Sequence, residues 1–142
     1  MLQGDRPPHP YPYLHPEEKV AIKIVELNTL KSKKLEELLY SEIAVLKELN
    51  HPNVLRCLEV FTSNRNCYII TELCDEGDLE TRIKKAGPLD HPRLQSVISD
   101  VYEGLLYLSS KGIIHRDLKV ANVFLKNGVA KIADFGFAVH AK

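Results

Sequence analysis

The sequence has no tryptophan, one methionine and three cysteines, and its 19 lysines and arginines balance 19 aspartates and glutamates. That balance leaves no field of one sign, which argues against nucleic acid or an anionic membrane surface as a general partner. No apolar run approaches the roughly 20 residues of a membrane-spanning helix, and no cationic lead precedes an apolar core at the N-terminus. Cys57, Cys67 and Cys74 are odd in number and lack metal-ligand spacing. They read as reduced thiols of an intracellular protein, expected in the cytoplasm. Glycine is scarce as well, and only Gly4 precedes Lys23. Five prolines, Pro7, Pro8, Pro10, Pro12 and Pro16, crowd the same segment. Proline has no N–H to give a sheet ladder, so residues 1–16 are expected to form an extended or disordered lead-in. The 142 residues, 44% hydrophobic and 27% charged, suffice for one ordinary globular domain.

Beyond the lead-in, the pattern mixes strands and helices. The β-branched run at 19–25 predicts a strand. Leu35, Leu38, Leu39, Ile43, Leu46 and Leu49 recur at helical spacing and predict a helix over 33–49, which Asn50-His51-Pro52-Asn53 stops. Strands are expected near 54–61 and 67–71, joined by a turn at Ser63–Asn66. A short helix over 79–86 ends at Gly87-Pro88. Asp90 is placed to cap a long helix over 92–110, with Leu94, Val97, Ile98, Val101, Leu105 and Leu108 as its stripe. Val123–Leu125 and Ala130–Ala133 read as two short strands joined at Asn127-Gly128. The class is α+β.

Within this frame lie three motifs: Val20-Ala21-Ile22-Lys23, then His115-Arg116-Asp117-Leu118-Lys119-Val120-Ala121-Asn122, then Asp134-Phe135-Gly136. Alone, each triplet or quartet is weak, and Lys23 or Lys119 would pass for a solvated surface lysine. Their order and length together resemble the eukaryotic protein kinases. The resemblance covers about residues 17–140. It implies a partial protein-kinase-like bilobal fold: an incomplete antiparallel N-lobe sheet with the family's αC helix over 17–71, a hinge over 72–78, and the start of a helical C-lobe over 79–142. It also implies transfer of the ATP γ-phosphoryl group to Ser or Thr hydroxyls of a protein substrate, with Mg2+.

The resemblance assigns roles residue by residue. Asp117 accepts the substrate proton, and Lys119, at a position typical of Ser/Thr-directed members, contacts the transferring phosphate. Lys23 holds the nucleotide phosphates and pairs with Glu42. Asn122 and Asp134 ligate Mg2+, for which hard oxygen donors suit. Glu72 and Cys74 present backbone groups to the adenine, Asp78 lies near the ribose, and Ala21 and Phe124 line the nucleotide site. Thr71 is the gatekeeper, small enough to leave a pocket behind the adenine open. His115, Phe135 and Leu46 are apolar-stack residues, and Arg116 serves a phosphate on an activation segment.

Two features of the family pattern are missing: the G-x-G-x-x-G-x-V loop before Lys23 and an A-P-E after Gly136. The expectation is therefore a kinase fragment with little activity alone. The alternative is a non-catalytic fragment that binds nucleotide weakly or docks to a regulatory partner, with the helix stripe at 94–108 left as exposed apolar surface. Asp134–Ala138 and the run Cys74–Leu79 resemble the Unc-51-like, autophagy-initiating kinases, and secondly the NimA-related kinases.

Overall fold

The computed structural model describes residues 18–141. The lead-in expected over 1–16 lies outside the described residues. Three antiparallel strands form a sheet of order β1-β3-β2, with β1 at Val20–Glu26, β2 at Cys57–Thr62 and β3 at Asn66–Glu72. β1 pairs with β3 along its whole length, from Val20 opposite Glu72 to Glu26 opposite Asn66. In β3, alternation sends Cys67 and Ile69 into the core. Helix α1, Lys33–Glu48, starts at Ser32, whose hydroxyl accepts the Leu35 amide at 3.3 Å. It buries Leu39, Ile43, Val45 and Leu46 in the same core as Cys67 and Ile69. Leu35 and Leu38 are exposed, so the buried stripe begins at Leu39, later than the spacing alone suggests.

The strand expected from residue 54 begins instead at Cys57. Val54 bridges Ile132 in parallel, and the Leu55 amide donates to the Ile132 carbonyl at 2.9 Å. Residues 54–55 therefore pair away from the sheet, and the register of β2 shifts between Cys57 and Glu59.

Helix α2, Leu79–Ala86, is capped by Asp78 and ends at Gly87, whose φ of 81° suits glycine. Helix α3, His91–Ser110, is capped by Asp90, which accepts the Arg93 amide at 2.9 Å. Its Val97 and Leu108 are buried, whereas Leu94 and Ile98 are 44% and 59% exposed. Among the described residues the expected apolar stripe is thus only partly covered. Beyond α3, β4 (Ile113–Ile114) pairs with β7 (Val139–His140). β5 (Val123–Lys126) and β6 (Val129–Ile132) form a hairpin. Asn127 and Gly128 take φ of 49° and 78°, both positive, as a two-residue turn matched to strand twist demands. Phe135, Leu108 and Ile132 join the α1–β3 residues in one buried cluster, while Leu79, Val97, Val123, Leu125 and Ala130 form a second.

Candidate active site

The chain after β4 turns sharply. Arg116 adopts a φ of 67°, a left-handed conformation uncommon for a long side chain, and its Nε donates to the Phe137 carbonyl at 2.7 Å. His115 is buried. Its Nε2 donates to the Ala133 carbonyl at 2.8 Å, and its Nδ1 accepts the Asp117 amide at 3.1 Å. The ring also meets Phe135 edge-on at 5.1 Å. His115 is therefore a strut between the 115–117 turn and the segment carrying Asp134, in keeping with the stacking role expected for it.

Asn122 lies in a short 3-10 turn, Val120–Asn122, directly before β5. Its side-chain amide donates to the Asp117 carbonyl and carboxylate. Lys119 Nζ lies 3.6 Å from the other Asp117 oxygen. On the far side of the hairpin, Asp134 has a φ of 60°, and its Oδ1 accepts the Gly136 amide at 3.2 Å. A Cβ at Gly136 would meet that Oδ1 at 3.3 Å and Glu42 Oε2 at 3.8 Å. The closer contact is with Asp134, so glycine gives room to the Asp134 carboxylate, while 3.8 Å to Glu42 is ordinary contact. Glu42 itself stands 3.5 Å from Lys23 Nζ, with side-chain exposures of 13% and 59%.

These groups converge on a cavity of about 460 Å³, a size typical of small-molecule sites. β1 contributes Ala21 and Lys23, α1 Glu42 and Leu46, and β3 Thr71 and Glu72; the connection after β3 adds Leu73 and Cys74. Asn122, Phe124, Asp134 and Phe135 complete the opposite wall. Thr71, Leu46 and Phe135 all line the cavity. Asp117, Lys119 and Asp78 do not line it. Asp117 is reached through Asn122. Asp78 is committed as a helix cap, accepting the Thr81 amide at 2.9 Å and hydroxyl at 2.7 Å; these bonds hold its carboxyl below its ordinary value. Leu55, Ile69, Leu73 and Ala133 also line the cavity and carry no motif, and Ala121 lines it from within the 115–122 motif. The one sequence signal for Leu55 was its apolar character after a proline turn.

Polar atoms facing this cavity are few. Among the described residues the Cys74 N–H has no hydrogen-bond partner, although Cys74 is buried. Burial pushes its thiol up to about 11, helped by the nearby Glu72 carboxylate, so the sulfur stays protonated and weakly nucleophilic. Asn122 commits its amide nitrogen to Asp117, and its carbonyl oxygen has no hydrogen-bond partner among the described residues; Asp134 uses one oxygen for Gly136. No cluster of three or more His, Cys, Asp or Glu side chains suited to a metal occurs among the described residues. Two oxygen donors with room for phosphate oxygens fit Mg2+, which seldom uses a cage made of protein alone.

The protein kinase domain family matches residues 13–142. The chain is similar to a probable cell cycle serine/threonine-protein kinase CDC5 homolog of Encephalitozoon cuniculi, 38% identical over 127 residues, covering 88% of this chain and 27% of that protein. The serine/threonine-protein kinase ATG1c of Arabidopsis thaliana is 37% identical, with 84% and 17% covered. Aurora kinase B of Mus musculus is 34% identical, with 91% and 39% covered. The chain belongs to the protein kinase family, and it spans well under half the length of these relatives. Identities of 34% to 38% across differently named kinases set the family and not the branch. Among the described residues no helix is long and apolar enough to cross a membrane.

Proposed function

We propose that this chain carries the nucleotide- and metal-binding part of a Ser/Thr protein kinase, which transfers the ATP γ-phosphoryl group to a protein Ser or Thr hydroxyl. The observation that carries this reading is the convergence of the Lys23–Glu42 pair, Asn122 and Asp134 on one largely apolar cavity. Bound Mg2+ would neutralise phosphate charge, held by Asn122 and Asp134. The free Cys74 N–H and the Glu72 carbonyl suit the edge of an adenine, between the apolar side chains of Ala21 and Phe124. Lys23, oriented by Glu42, supplies a cation to the phosphates. Asp117, oriented by the Asn122 amide, accepts the hydroxyl proton, and Lys119 beside it offers a cation to the phosphoryl in transit. Asp78 reaches the ribose only by giving up its cap bonds to Thr81. The unpaired thiols fit a cytoplasmic setting, and regulatory protein partners fit a chain of this family.

One observation favours a second reading, a binding or regulatory fragment without turnover. Among the described residues β1 is an edge strand of its sheet, with Ile22 and Ile24 exposed and the Lys23 side chain 59% exposed.

Two assays on the purified chain separate these readings. Magnesium-dependent labelling of a generic protein substrate by γ-labelled ATP, abolished in Asp117→Ala, is the result expected for the enzyme. Binding of Mg·ATP without transfer supports the fragment. Absence of binding overturns the enzyme and the nucleotide-binding fragment, and leaves only a fragment that docks to a protein partner.

A further inference from the structure

The nucleotide cavity and the metal ligands are tied together by a second polar network. Glu72 ends β3, and its carboxylate is mostly buried. Its Oε1 accepts the Arg56 amide at 3.0 Å and lies 3.1 Å from Lys131 Nζ; its Oε2 accepts from Lys126 Nζ at 3.2 Å. Lys131 Nζ donates onward to the Pro52 carbonyl at 2.8 Å. Both lysines sit on the β5–β6 hairpin. A second carboxylate from the same connection, Glu76, accepts the Gly128 amide at the hairpin turn at 3.0 Å. Arg93 of α3 donates to the Gly128 carbonyl at 2.7 Å and lies 3.6 Å from Glu76. Between these anchors, the Leu125 amide donates to the Gly77 carbonyl at 2.9 Å.

The hairpin is thus clamped along the 72–78 connection, and its two roots are Asn122 and the Ala133–Asp134 segment. A carboxylate so enclosed costs desolvation, which two cations and an amide offset; removing the carboxylate leaves two lysines unpaired. Such an arrangement is a weak source of net stability, so its stronger consequence is geometric.

We propose that the Glu72 carboxylate is a positioning group of this site: by holding Lys126 and Lys131 it fixes the β5–β6 hairpin to the 72–78 connection, and so sets the span between the base-binding backbone at Glu72–Cys74 and the metal ligands Asn122 and Asp134. This inference rests on the nucleotide reading above. It requires that the base end and the phosphate end of the ligand be coupled through the hairpin, a coupling usually worth fivefold or more in affinity.

The test compares adenosine with Mg·ATP, by calorimetry, on the full chain and on Glu72→Gln. The advantage of Mg·ATP over adenosine is expected to shrink at least about fivefold in Glu72→Gln. Amides of Val123–Ile132 should also exchange faster with deuterium. Lys131→Arg, which keeps a cation at Glu72, should recover most of the wild-type advantage, and Lys131→Met should not. A purely structural role would lower both affinities together. That equal loss, or an unchanged ratio, overturns the proposal while leaving the nucleotide site standing. Failure of the wild-type chain to bind either ligand overturns the nucleotide reading, and this inference with it. If Glu72→Gln does not fold, Lys126→Met removes one cation and carries the same expectations.

Discussion

Asn122 donates from its buried side-chain amide to both the backbone carbonyl and the carboxylate of Asp117, at 2.8 and 3.1 Å. The two residues behave as one unit, because each satisfies a polar group that the turn would otherwise strand. Asn122→Ala is expected to lower stability by about 1–3 kcal/mol, the usual result of orphaning buried partners. Asn122→Asp should be worse near neutral pH, since it sets a second carboxylate against Asp117. Urea midpoints check both; an unchanged midpoint for Asn122→Ala would show that water replaces the amide at no cost.

The Lys23–Glu42 pair calls for the opposite expectation. Lys23 is 59% exposed, so solvent screens the attraction. Glu42→Gln should change stability by less than about 1 kcal/mol. Mg·ATP affinity should nevertheless fall about tenfold, the equivalent of one interaction of roughly 1.4 kcal/mol. Thermal shift and ligand titration on the same preparation separate the two effects. A large loss of stability with intact binding would make the pair structural.

Some of this architecture was legible in the sequence because it is written locally. The end of α2 follows from the Gly87-Pro88 stop, and the β5–β6 hairpin follows from Asn127-Gly128, whereas the Asp78 cap was not read from the sequence. Lys23, Asn122 and Asp134 were singled out because motifs mark them, and all three line the cavity. Leu55 was misread because an apolar run favours a strand whichever partner it finds, and its partner is Ile132 rather than β3. Leu35 and Leu38 share the helical spacing of Leu39, yet periodicity does not say how far a core reaches along a helix. The Glu72 network had no signal at all. Its lysines lie more than fifty positions away, and only the folded hairpin brings them together.

Thr71 governs how deep a ligand can reach. It lines the same cavity as Leu46 and Phe135. Thr71→Met should weaken an adenine-site ligand with a bulky apolar tail by about tenfold or more, one lost contact of roughly 1.4 kcal/mol. Adenosine, which has no such tail, should bind both forms alike. Equal binding of the tailed ligand would mean that the tail exits elsewhere.

Acid should reveal the Glu72 pairing. Burial alone would raise this carboxyl, but the Arg56 amide and the Lys131 and Lys126 ammonium groups outweigh it and hold it below its ordinary 4.5. Between the folded and ordinary values the unfolded chain therefore binds a proton that the folded chain refuses. The stabilisation is complete above the ordinary value and is lost as pH falls through the folded one. The urea midpoint of the wild-type chain minus that of Glu72→Gln should hold steady from neutral pH to about pH 5.5 and shrink below it. A difference that grows on acidification would contradict the pairing.

Gly104 sets two ordinary rules against each other. It lies inside α3, where alanine would gain about 1 kcal/mol of helix propensity. A Cβ there, however, would stand 2.8 Å from the Asn53 carbonyl oxygen and 2.9 Å from Ile132 Cδ1. The Asn53 carbonyl has little freedom to retreat, because it accepts the Ile132 amide at 2.9 Å while the Asn53 side chain donates to the Ala130 carbonyl at 3.1 Å. Overpacking against fixed backbone costs about 1–3 kcal/mol, so the clash should win and Gly104→Ala should destabilise the fold. Because Ile132 roots the hairpin that leads to Asp134, Mg·ATP binding should weaken as well. A Gly104→Ala chain that melts higher than the wild type would mean that α3 can move away from Asn53, and that the hairpin is held by its polar anchors rather than by the helix behind it.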